Sequence, residues 1–359
     1  MKMRYFLPAI ILCFLMAGCR VEAAQGSTQA GSEETAAAGT QESAAAAASR
    51  DTGFTVWSTY WDTSRTDVEF QQIESAVKNL CYFEVYYDEK LNYIYPDELK
   101  QQWDSQKSRL SELGVTSYVT FVNDLKQSEQ PASLKDVELL HRLLDTDTAR
   151  EQQAQRMVQF AKSNGFQGIE VDYEKIRSDR ELWKYFGDFL TVLNQKAEKE
   201  GLKLRILLEP QTPADVVLPQ EPTYVMMCYN LFGSGTEPGP KANREFLLKM
   251  AGLMQGLSAK RDFALATGGY DFTIGGSAAQ VTEQEADMLK AEYHASAVRD
   301  ADSGVNWFNY QEANGIRHQV WYADGKTLSH WIQILKEAGE NDISLWRLGG
   351  NLTLGELAK

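Results

Sequence analysis

From residue 53 onward, apolar runs of strand length recur along the chain, most followed by polar-apolar sequence with helical spacing. The strand candidates are Phe54–Trp61, Leu80–Tyr87, Val115–Phe121, Gly168–Glu174, Leu202–Glu209, Tyr224–Tyr229, Phe263–Gly268 and Ile343–Leu348. Several are apolar without interruption, as parallel strands covered on both faces are. Helical spacing is clearest near Arg150–Ser163, Leu182–Gly201, Asn243–Ala259, Glu283–Ala297 and Thr327–Ala338. The alternation predicts an α/β chain closed into a (β/α)8 TIM barrel, with its functional residues at the C-terminal strand ends. An open doubly wound sheet is the alternative. One interval departs from the rhythm. Between Glu209 and Tyr224, Pro210, Pro213, Pro219 and Pro222 leave no room for a full helix, so a loop or a single turn is expected there.

The chemistry concentrates on the fourth run, Gly165-Phe166-Gln167-Gly168-Ile169-Glu170-Val171-Asp172-Tyr173-Glu174. Residues two apart on a strand share a face, roughly 6–7 Å between Cα atoms, so Glu170, Asp172 and Glu174 point one way. Ile169, Val171 and Tyr173 occupy the other face and suit a covering helix. Burying a row of like charges is unfavourable unless a metal or shared protons offset it. His141, His294, His318 and His330 show no ligand spacing, and alternate residues of one strand wrap a cation poorly, so no metal is expected. Gly268-Gly269 and Gly349-Gly350 lack the spacing and following lysine of a phosphate loop, and no cofactor is predicted. Proton-sharing catalysis remains.

At the other end, Lys2 and Arg4 precede an apolar run, Tyr5 to Leu15, of signal-peptide length. Leu15-Met16-Ala17-Gly18-Cys19 resembles the lipobox of bacterial lipoproteins. That implies a signal over residues 1–18, a lipid on Cys19, and a place at the bacterial cell surface or periplasmic face. A plain cleaved signal and an uncleaved span are the alternatives. Residues 19–52, rich in Ala, Gly, Ser, Thr, Glu and Gln, read as a flexible tether, and residues 53–359 as the folded body. Cys81 and Cys228 lie in apolar runs and are expected as buried free thiols. A net charge of −14 argues against a nucleic-acid partner.

These features together resemble glycoside hydrolase family 18, in particular its bacterial branch of spore cortex-lytic and germination-associated N-acetylglucosaminidases. The family's fourth strand ends in D-x-x-D-x-D-x-E, and here Gln167 through Glu174 stand in that pattern. The resemblance implies Glu174 as general acid and base, with Asp172 orienting the substrate's acetamido group. Met227-Cys228-Tyr229-Asn230 resembles the family's M-x-Y-D, with Tyr229 on the acetamido carbonyl, and Trp346 matches its tryptophan floor. Asn314 to Asp324 looks like the branch's segment before the last strand. Three positions depart from the family: Gln167 and Glu170 replace aspartates, and so does Asn230. Glu170 retains a charge and is expected to share a proton with Asp172, while Asn230 retains hydrogen bonding alone.

The activity implied is retaining, substrate-assisted hydrolysis of β-linked N-acetylglucosamine glycans, peptidoglycan fragments preferred. Chitin oligosaccharides and the chitobiose core of N-glycans are alternative substrates, and a non-catalytic surface carbohydrate-binding protein is the other reading. The interval Tyr270–Val305 is too short for the large insertion domain of many chitinases, so the cleft is expected to be open. Trp57, Tyr60, Trp61, Tyr86 and Tyr87 can stack on sugars or complete barrel layers. Asn123, Asp124, Glu209 and Gly268-Gly269-Tyr270 fall at strand ends as groove candidates, Glu209 equally as an ion-pair partner. Trp183 and Trp331 read as packing, and His318 and Trp321 as locking the loop before the last helix.

Overall fold

The computed structural model describes residues 53–258 and 260–358; the expected signal, the lipidated Cys19 and the tether lie outside them. Eight parallel strands close on themselves: Phe54–Thr59, Val77–Asp88, Thr116–Lys126, Gly168–Asp172, Lys203–Leu208, Thr223–Met227, Arg261–Ala266 and Ile343–Trp346. Each pairs with its sequence neighbour, and the eighth returns to the first through Thr55↔Ser344 and Val56↔Leu345. All eight match the apolar runs of the sequence.

Period-two alternation divides these strands between two cores. Val56, Leu80, Val119, Ile169, Ile206, Tyr224, Phe263 and Leu345 point outward into the layer beneath the helices. Trp57, Cys81, Tyr118, Leu207, Val225 and Ala264 point inward and fill the barrel. Both faces are therefore dry, which is why the runs read as continuously apolar. Cys81 and Cys228 are buried free thiols.

The covering helices are Thr63–Ile73, Asp97–Glu112, Val137–Leu144, Asp147–Asn164, Arg180–Lys199, Arg244–Leu257 and Gly325–Glu337. Side chains of Asp136, Thr146, Asp179, Asn243 and Asp324 cap five of them by accepting first-turn N–H groups. The Arg180–Lys199 helix buries Leu182, Phe186, Phe189, Leu190 and Leu193 at helical spacing. Gly165, at φ +80°, ends the preceding helix and turns the chain into the fourth strand. Residues 209–222 hold no helix, in keeping with their prolines. No helix among the described residues is long and apolar enough to cross a membrane.

No large domain interrupts the barrel. After the seventh strand, however, a small antiparallel sheet forms from Gly268–Thr273, Ala278–Val281, Val298–Arg299, Asn306–Gln311 and Arg317–Ala323, with a helix at Glu283–Glu292. Ala286, Phe308, Tyr310, Val320 and Tyr322 make its own core. His318 and Trp321 thus lie on a strand of this sheet rather than in a loop. Trp183 and Trp331 are packing residues, both buried.

Candidate active site

The carboxylate row on the fourth strand splits in depth. Glu170 is fully buried in the barrel interior, where Oε1 accepts from Trp57 Nε1 at 2.6 Å and from Thr120 Oγ1 at 2.7 Å. Oε2 accepts from Arg205 Nε at 3.0 Å and from Cys81 Sγ at 3.4 Å. Arg205 Nη1 also reaches Asp262 Oδ2 at 2.8 Å, and Nη2 reaches Ser344 Oγ at 3.0 Å. Burial works against the Arg205 charge, but Asp262 and Glu170 hold the guanidinium well above its ordinary range. Two expectations are corrected here. The charge of Glu170 is met by Arg205 rather than by a proton shared with Asp172. Trp57, with none of its surface exposed, is a pillar of the interior rather than a sugar platform at the rim.

Higher up, the strand ends at Asp172, and the next residues bend into the mouth. Asn123, buried at the end of the third strand, clamps Glu174 by its backbone: Oδ1 accepts the Glu174 N–H at 3.0 Å and Nδ2 donates to its carbonyl at 3.1 Å. A side chain here imitates a neighbouring strand. The loop after the third strand is pinned by reciprocal 2.8 Å bonds between Leu125 and Ser133, and by the Lys135 N–H to Asp124 Oδ1 at 2.8 Å. At φ +56°, Lys135 turns its side chain into the site.

Its ammonium lies 3.0 Å from Glu174 Oε1 and 3.7 Å from both Asp172 Oδ2 and Asp124 Oδ1. Burial disfavours this charge, yet Asp172, Glu174, Asp124 and Glu84 together hold it well above the usual lysine range. One cation thus serves several acids, whose like charges repel one another. Burial pushes the Glu84 carboxyl up to about 7, against Lys135 and helped by Asp124 and Glu174. Burial also pushes Asp172 well up, with Lys135 opposing and Glu174, Glu170 and Glu84 adding to the rise. Asp172 Oδ1 is buried and has no hydrogen-bond partner.

Tyr229 is nearly buried; burial first, then Asp172 and Glu174, raise its hydroxyl. It shares an aromatic cluster with Phe83, Tyr86 and Trp346, where the half-buried Trp346 meets Trp57 edge-on at 5.7 Å and Phe83 at 4.7 Å. Asn230, exposed at φ +63°, accepts from Tyr270 Oη at 3.0 Å and so ties the mouth to the small sheet. Glu209 Oε2 accepts the Lys175 N–H at 2.6 Å. A cavity of about 760 Å³ opens here, lined by Glu174, Glu209, Met227, Tyr229 and Asn230 among others. Glu174, Asp172, Tyr229, Asn230 and Glu209 therefore converge, with Trp346 and Tyr86 alongside through the aromatic cluster. Lys135 and Arg205 do not stand out as site residues in the sequence. Arg205 does carry a signal, a charge inside the apolar run Leu204-Arg205-Ile206-Leu207 beside an acid-bearing strand; Lys135, a loop residue, carries none.

No family model matches the chain. Over 231 residues it is 28% identical to the cortical fragment-lytic enzyme of Bacillus subtilis, covering 58% of this chain and 52% of that protein. The chain spans about half the length of the curated relatives it matches first. Its fold is similar to that of the Bacillus cereus spore cortex-lytic enzyme SleL, with a TM-score of 0.69, 17% identity, and 86% and 73% of the two chains covered. It is likewise similar to a chitinase from Chromobacterium violaceum, with a TM-score of 0.71, 18% identity, and 85% and 97% covered.

Proposed function

We propose that the protein is a retaining glycosidase that cleaves β-linked N-acetylglucosamine glycans, peptidoglycan fragments first, with the substrate's own acetamido group as nucleophile. The observation that carries this reading is the buried, unpartnered Oδ1 of Asp172, set beside Glu174 and Tyr229. A buried acceptor without a donor is unfavourable. A sugar whose 2-acetamido N–H donates to Asp172 relieves it and turns the acetamido carbonyl toward the anomeric carbon, where Tyr229 steadies it.

Glu174 gives its proton to the glycosidic oxygen as the carbonyl oxygen attacks and the aglycone leaves. Its neighbours in the acid cluster around Lys135, Glu84 and Asp172, are both pushed up, chiefly by burial. Asp172 offsets the charge of the resulting oxazolinium ion. Glu174, now ionised beside Lys135, then takes a proton from the water that opens the ring, and the configuration is retained. Likeness to a cortical fragment-lytic enzyme supports a wall glycan as substrate. A lipid on Cys19 and the tether of residues 19–52 would hold the enzyme at the cell surface or periplasmic face, within reach of that wall.

The test compares the N-acetylglucosamine tetramer with its de-N-acetylated counterpart. The acetylated tetramer is expected to be cleaved with β-anomeric product in the first NMR spectra. The deacetylated one should react about 10⁴-fold more slowly, the discrimination of a site built around a missing polar group. Equal rates would remove the acetamido from the mechanism, and intact tetramers in both arms would leave a sugar-binding protein.

A further inference from the structure

Beside Trp346 lies a second charged site that the reaction does not use. A cavity of about 260 Å³ sits between the barrel mouth and the small sheet, lined by Trp61, Arg65, Lys241, Gln280, Trp346 and Arg347 among others. Three cations face it, and the carboxylates nearby are already engaged: Glu69, for one, accepts the N–H groups of Gly349 and Asn351, each at 2.7 Å. Asp62 pairs with Arg65 at 2.6 Å and with Arg347 at 2.8 Å. Glu285 closes the capping box of its helix, accepting from Thr282 N at 2.7 Å and Oγ1 at 2.9 Å.

Lys241 is the cation left over. Its ammonium donates to the Thr267 carbonyl at 3.0 Å and stands 5.1 Å from the Tyr270 ring, with no carboxylate in ion-pair range among the described residues. Burial, and then Arg347, push it down to about 8. A cation held in a largely dry place with no anion of its own, beside a guanidinium already paired to Asp62, is unfavourable, and a bound carboxylate reverses that. Aromatic surfaces flank the position: Trp61 is half-exposed with the Arg347 guanidinium 5.7 Å from its ring, and Trp346 also belongs to the cluster that holds Tyr229.

We propose that this cavity is a subsite for a carboxylate-bearing sugar, the lactyl ether of a muramyl residue freed of its stem peptide, with Lys241 and Arg347 on the carboxylate and Trp61 and Trp346 on the ring. The proposal rests on the glycosidase reading above and names the neighbour of the sugar that reacts. It separates an alternating wall glycan from chitin, in which no residue carries an acid.

Tryptophan-fluorescence titration of the full chain with N-acetylmuramic acid and with its methyl ester tests it. The acid should bind about 10-fold more tightly than the ester near pH 7, as one charged hydrogen bond provides. That advantage should shrink as pH rises past about 8 and Lys241 loses its proton, and Lys241→Gln, which can still bond the Thr267 carbonyl, should hold it at the reduced, pH-independent level that Arg347 alone provides. Equal affinities for acid and ester in the wild type would overturn the subsite whatever the variant does. A preference for the acid in a protein that cleaves no tetramer would uphold the subsite and overturn the hydrolytic reading. Cleavage with no such preference would do the opposite.

Discussion

Glu174→Gln is expected to cut product release from the N-acetylglucosamine tetramer by about 10²–10⁴-fold, the range for removing a general acid and base. At about 1.4 kcal/mol per factor of ten, that is roughly 3–6 kcal/mol of transition-state stabilisation. The substitution is nearly isosteric, and the Asn123 clamp acts on the backbone of residue 174, so the amide occupies the carboxylate's place. Its carbonyl can still accept from Lys135, which sits 3.0 Å from Oε1. KM and melting temperature should therefore hold near wild type while kcat falls. Undiminished product release would show that another group delivers the proton. A wild type that binds the tetramer but releases nothing would mark the aromatic and amide side chains of the mouth as recognition surfaces alone.

The parts of this molecule that follow from period and covalent geometry are legible in its sequence. Strands buried on both faces must be apolar throughout, so the eight runs stand out, and four closely spaced prolines forbid the helix missing after the fifth strand. The small sheet is equally written in the chain. Phe308 and Tyr310, then Val320 and Tyr322, fall at alternate positions on either side of Asn314-Gly315, a strong hairpin signal. That pattern is overshadowed by a linear resemblance that reads the same residues as a lead-in to the last strand. Depth along the fourth strand is not legible. Alternation says that Glu170 and Asp172 face the same way, but only the closed barrel sets one beneath the floor and the other at its surface. The partners that decide their chemistry come from elsewhere: Arg205 from the next strand, and Lys135 from a loop aimed by its left-handed backbone. Charge compensation is foreseeable as a requirement, and its source is not.

Arg205→Met is the substitution expected to harm the fold most. The guanidinium is buried in the barrel and answers two buried carboxylates, Glu170 and Asp262, along with Ser344 Oγ. Methionine fills much of the volume but leaves both acids without a cation, and breaking such a pair from one side costs about 3–5 kcal/mol. Urea unfolding should show the midpoint falling with little change in slope. Neutralising the orphans in the same chain, with Glu170→Gln and Asp262→Asn added, should recover most of the loss, because a buried ion network is worth little over an uncharged replacement of similar shape. Arg205→Met within about 1 kcal/mol of wild type would mean that the two carboxylates take up protons at small cost. The rescued chain also bears on the active site. Glu170 receives the indole N–H of Trp57, whose ring meets Trp346 at 5.7 Å. If that pillar sets the height of the Trp346 ring, the rescued chain regains stability while kcat on the tetramer stays depressed. If Phe83, 4.7 Å from Trp346, is enough to seat that ring, stability and turnover return together.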